Sequence, residues 1–114
     1  MVIRIIPILF TLVISQDYLP ITFQVDMSNE IVSEDGVHIM GSDDSFLEFG
    51  VNLDTQEPFP AWNPSSISLM DNDGDNIFEV TLYLLPNTSY LYKFVNGDSL
   101  EMMRIVIEFM NLQI

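Results

Sequence analysis

At 114 residues the chain has room for one domain. Its 17 Asp and Glu against three Lys and Arg give a net charge of −14, which repels nucleic-acid phosphates and anionic membrane surfaces and leaves neutral or cationic ligands. Cysteine is absent and histidine occurs once, at His38, so disulfides, thiolate chemistry and sites built on two imidazoles are excluded.

Residues 1–15 (MVIRIIPILFTLVIS) have a basic start at Arg4, then an apolar run, then a small residue ahead of Gln16-Asp17. This is the layout of a secretory signal peptide, and the run is short for a membrane span. An uncleaved N-terminal anchor and a buried first strand are the other readings. Removal of Arg4 leaves two basic against 17 acidic side chains, or −15, on an exported chain with no membrane insertion of its own. Such an acidic surface serves solubility.

Residues 21–27 (ITFQVDM) alternate Ile21, Phe23, Val25 and Met27 with Thr22, Gln24 and Asp26, the pattern of a half-buried strand. After a polar stretch, residues 37–41 (VHIMG) read as a second strand. His38 falls opposite Val37 and Ile39, which suits a surface or sheet-edge histidine better than a ligand. Residues 42–60 carry scattered acids and end on Pro58 and Pro60, and read as a long loop with room for a helical turn. Trp62-Asn63-Pro64 follows, and residues 67–70 form a short strand.

Residues 77–84 place Phe78, Val80, Leu82 and Leu84 on one face. Turn chemistry at 86–89 leads to a strand with Tyr90, Tyr92 and Phe94 on one face and Leu91, Lys93 and Val95 on the other. Two such neighbours with a short loop predict an antiparallel hairpin, around which the other strands pack. Asn96-Gly97 ends the run, and residues 104–110 (RIVIEFM) have the composition of a last strand. Six or seven short strands without a strong helix indicate an all-β antiparallel sandwich over residues 18–112.

The turn Asp71-Asn72-Asp73-Gly74-Asp75 has the oxygen density of a calcium loop but not EF-hand spacing, since Gly74 is fourth rather than sixth. Read plainly, it is a tight turn in which Asp and Asn cap their own backbone and Gly74 is left-handed. If calcium binds, Asp71, Asp73 and Asp75 are its candidate ligands, and no other cofactor is implied. Nucleophile elbows, metal clusters and nucleophile–base spacings are missing, which points away from an enzyme. Asn87-Thr88-Ser89 fits a glycosylation acceptor.

Taken together, Phe23-Gln24-Val25-Asp26-Met27, Gly36-Val37-His38-Ile39-Met40-Gly41, Trp62-Asn63-Pro64, the acidic turn, Phe78-Glu79-Val80-Thr81 and Tyr92-Lys93-Phe94-Val95-Asn96-Gly97 resemble the starch- and glycogen-binding modules. These are immunoglobulin-like early-set sandwiches, and the likeness is to the versions in exported multidomain bacterial proteins. It spans residues 21–97. It implies an immunoglobulin-like fold and, in glycan-binding members, a site of one aromatic after the second strand, the lysine of the hairpin and a tryptophan following the hairpin. The first two correspond to Trp62 and Lys93, with Phe59 keeping the Phe-x-x-Trp spacing. The later tryptophan position holds Leu100, and residues 43–58 stand as an insertion.

Two functions follow as expectations. One is a non-catalytic module that binds an α-glucan or related polysaccharide. Trp62 stacks on the C–H face of a sugar, and Lys93 and Asn96 donate to its hydroxyls. The other is a spacer or adhesion domain of a cell-surface protein with no glycan ligand. Both place the chain outside the cell, as a partner of other domains in a larger protein.

Overall fold

The computed structural model describes residues 18–99 and 110–113, with side chains over 18–99. The signal-peptide reading of residues 1–15, Leu100 and most of the strand expected at 104–110 lie outside them. The strands are β1 (Leu19–Asp26), β2 (Val37–Asp43), β3 (Glu48–Asn52), β4 (Glu57–Pro60), β5 (Ser68–Leu69), β6 (Ile77–Leu84), β7 (Ser89–Asn96) and β8 (Met110–Gln113). They form two four-stranded sheets, ordered β1-β6-β3-β4 and β5-β2-β7-β8, with antiparallel pairing throughout. No helix occurs among the described residues.

The alternating strands form where the sequence places them, but β6 and β7 are not a hairpin. β6 pairs with β1 from Leu19↔Leu84 to Asp26↔Ile77, while β7 pairs with β2 in the other sheet. The connection between them crosses from sheet to sheet. Asn87 turns it with φ +58°, and the hydroxyl of Tyr90 accepts the Leu85 N–H at 3.0 Å. A tyrosine at the start of a strand, bonded back to the preceding corner, is a hallmark of immunoglobulin-like sandwiches. Burial of this tyrosine raises its pKa above 10.0. Alternation says which face is buried. It does not say whether the next strand lies beside or across.

The pairing carries the same identity. β1-β6-β3 and β2-β7-β8 correspond to the B-E-D and C-F-G ladders of the immunoglobulin fold, with β4 and β5 as added edges. Between the sheets lie Phe23 and Val25 of β1, Val37 and Ile39 of β2, Phe49, Leu82, Leu84, Tyr90 and Phe94. Phe23 meets Tyr92 edge-on at 4.8 Å and Phe49 at 5.9 Å, so both sheets contribute to one aromatic cluster.

Residues 42–60, expected as a loop, hold the end of β2 and the whole β3–β4 pair. The register shifts between Glu48 and Val51, and Gly50 there has φ +72°. A bulge of this kind breaks period-two alternation, which hid the strand. Gly50 also lacks room for a side chain, since a Cβ would lie 2.7 Å from Leu84 Cδ2. Pro58 and Pro60 sit on β4, an edge strand, where a missing N–H costs least.

Candidate functional site

Trp62 follows β4 in a left-handed turn, φ +53°, and its N–H donates to Gly41 O at 2.9 Å. That bond ties the residue to the end of β2. Asn63 closes the turn, its Oδ1 accepting the Ser65 N–H at 3.0 Å. Lys93 stands on β7 opposite Met40. Its Nζ lies 5.9 Å from the centroid of the Trp62 ring, within cation–π reach. The fold therefore joins the aromatic and the lysine that the sequence singled out.

Donation to sugar hydroxyls needs an open ammonium, and Lys93 does not stand open to solvent. It is 4% exposed, and burial pulls its pKa below 10.5. Its neighbours on this outer face, His38, Met40, Ser42 and Val95, are buried as well, while Leu91 on the same face is exposed, so the sheet is covered on both sides around Lys93. Trp62 is half-buried. The ammonium is placed to act on the indole rather than to reach across a surface to hydroxyls. Ser42 Oγ is buried here without a hydrogen-bond partner.

Asn96 is not part of this pair. Strand alternation turns it to the side of Tyr92 and Phe94, opposite Lys93. It is 5% exposed, and its amide is used at both ends. Oδ1 accepts the Ser33 N–H at 2.8 Å, and Nδ2 donates to Ile31 O at 2.8 Å. The expected sugar contact is instead a clamp on the β1–β2 loop. Gly97 continues it, donating from N to Gly36 O at 2.8 Å. His38, read as a surface or edge residue, is 6% exposed and belongs to the same knot, with Nδ1 2.6 Å from Gly97 O.

The acidic stretch is the tight turn the sequence describes. Asp71 Oδ1 accepts from Gly74 N at 3.0 Å and Asp75 N at 3.2 Å, and its Oδ2 accepts from Asn76 N at 3.0 Å. Asp75 Oδ1 accepts from Ile77 N at 2.9 Å, which starts β6. Gly74 is left-handed, φ +74°. One carboxylate oxygen from each of Asp71, Asp73 and Asp75 lies within 4.8 Å of the others. A hydrogen bond shared with Asp75 raises the pKa of Asp73, and the Ile77 N–H lowers that of Asp75. Three such oxygens are part of the six to eight calcium takes, and backbone capping already explains their gathering.

No family model, curated protein or solved structure matches the chain. The assignment to a fold class rests on strand order and on the tyrosine corner. Any reading of the site rests on its own geometry and on the motifs. Two features of that geometry escaped the sequence. One is the burial of Lys93, which depends on what covers the outer face. The other is Gly41, where an added Cβ would lie 2.3 Å from Leu91 O. That approach brings β2 and β7 together beneath Trp62.

Proposed function

We propose that this protein is a non-catalytic carbohydrate-binding module of an exported protein, taking an α-glucan at Trp62. The observation that carries the reading is the convergence of Trp62 and Lys93, 31 positions apart, with Nζ 5.9 Å from the indole centroid. The half-buried indole offers its accessible part to the C–H face of a pyranose. Lys93 acts from behind as a fixed positive charge that holds and polarises the ring, and it does not contact sugar hydroxyls. A single aromatic gives weak, shallow binding, useful when several modules act together.

The burial of Lys93 and Asn96 favours a second reading, a spacer or adhesion domain without a glycan ligand. Depletion of the protein by insoluble starch and by glycogen-conjugated beads separates the two. The glycan reading expects retention on both supports and its loss in Trp62→Ala, with the melting temperature of the variant checked alongside. Equal, negligible retention of the parent and Trp62→Ala would leave the spacer reading.

A further inference from the structure

At one edge of the sandwich the first sheet has a gap. Met70 and Glu79 exchange two backbone hydrogen bonds of 2.9 Å each, so Glu79 turns its N–H and C=O to this edge. Tyr83, four residues on, is paired with Val51 of β3 at the same edge. Thr81 lies between them and shares their orientation, because backbone groups alternate along a strand. Yet β3 has turned away after Asn52, and Ser68 and Leu69 have crossed to the other sheet. Among the described residues, no strand pairs with Thr81 on this side.

A groove of about 420 Å³ opens there, within the size range of small-molecule sites, about 300–1,000 Å³. Leu53, 47% exposed, and the half-buried Phe59 and Val80 supply its apolar surface, while Ile67 and Leu82 belong to the core behind it. Asn52 stands at the rim. Its Oδ1 caps the Asp54 and Thr55 N–H groups at 2.9 and 3.4 Å, which leaves its amide N–H donors. Asp54, Ser66 and Ser68 complete the polar lining, with one acid and no base.

We infer that this groove is a second ligand site, for a single neutral pyranose, built on the unpaired backbone of Thr81. The charge argument excludes anions, since Asp54 is the sole charged group in the lining of a strongly acidic protein. The length of the gap excludes an added peptide strand, which needs a run of free edge residues rather than one. What fits is a ring with one C–H face for Leu53, Phe59 and Val80 and hydroxyls that both donate and accept. Thr81 N–H and C=O, the Asn52 amide and the Asp54 carboxylate offer the matching groups. The site is separate from Trp62 and stands whether or not Trp62 binds a glucan.

The test is a ¹H–¹⁵N correlation titration of the full-length protein with glucose, galactose, mannose and N-acetylglucosamine. The expected result is saturable shifts at Thr81, Tyr83 and the Asn52 carboxamide with at least one sugar, and slowed exchange of the Thr81 amide. Ser66→Phe fills the groove and abolishes the shifts. Asn52→Asp keeps the cap, removes the donors and weakens binding about tenfold. Trp62→Ala leaves them intact, while it abolishes α-glucan retention if that separate reading holds. Well-dispersed spectra show that each variant is folded. No shifts at 80–83 with any of the four sugars, or shifts that survive in a folded Ser66→Phe protein, would overturn the proposal.

Discussion

Replacing Asn96 by alanine removes both halves of a buried amide clamp. In the native fold Oδ1 accepts from Ser33 and Nδ2 donates to Ile31, each at 2.8 Å. Without them one backbone N–H and one backbone C=O lose their partners. Each loss costs about 1–1.5 kcal/mol at a part-buried site where water gives some compensation, or about 2–3 kcal/mol together. That is a large share of the roughly 5–15 kcal/mol that holds a small domain. At about 4–8 °C per kcal/mol for a domain of this size, the melting temperature should fall by about 10–20 °C. Urea unfolding monitored by circular dichroism gives the number. Asn96→Asp adds a check of sign. One oxygen still accepts from Ser33, but the other faces the Ile31 carbonyl, so the folded protein raises the pKa of this new acid. The cost is then present at neutral pH and is relieved as pH falls through that raised value, when the protonated carboxyl can donate to Ile31. A loss below about 0.5 kcal/mol in the alanine variant, with no relative recovery of the aspartate variant in acid, would refute the clamp.

Other outcomes follow from the same geometry. Gly41→Ala places a Cβ 2.3 Å from Leu91 O and 3.0 Å from Tyr92 Cα, so β2 and β7 must separate. A stability loss of about 3 kcal/mol or more, or failure to fold, is expected in thermal melts. Lys93 is the only lysine, so ¹³C-lysine NMR gives one ε signal, and its titration midpoint should lie below 10.5. Burial makes its charged form unfavourable in the fold, so its contribution to stability improves relative to Lys93→Met as pH rises through the lowered midpoint. Asp73, raised by its shared hydrogen bond with Asp75, behaves oppositely to a stabilising carboxylate. Asp73→Asn should raise the melting temperature at neutral pH, with the gain vanishing as pH falls through the raised pKa. In a calcium titration the parent should gain on that variant only if the turn binds the ion.

Much of the sandwich was legible because β1 and β6 bury one face and leave the other more open, and because the aromatic side chains of β7 recur at every second position. Phe23 and Val25 face the core while Thr22 and Gln24 face out, and Thr22 meets Thr81 across the ladder at 2.8 Å. What alternation does not carry is pairing. The four residues after Leu84 have the composition of a hairpin turn, and only the pairing of β6 with β1 and of β7 with β2, with the Tyr90–Leu85 bond between them, shows that they form a corner between sheets. β3 was hidden by the bulge at Gly50, whose extra residue puts its apolar side chains out of phase.

The site divides in the same way. Trp62 and Lys93 were found by motif, and the fold brings them together. Asn96 was grouped with them because it is near in sequence. Its odd spacing from Lys93 already placed it on the other face, and the loop it anchors, around Ile31 and Ser33, gave no sequence signal of needing a partner. The groove at Thr81 arises where two segments part company. No local pattern marks such a place.

The most direct test of the central claim is the fluorescence of Trp62, the only tryptophan, during titration with maltoheptaose. A glycan contact at the indole predicts a saturable change in emission, with binding lost in Trp62→Ala. An emission indifferent to maltoheptaose at saturating concentration, from a protein shown to be folded, would contradict the glycan reading.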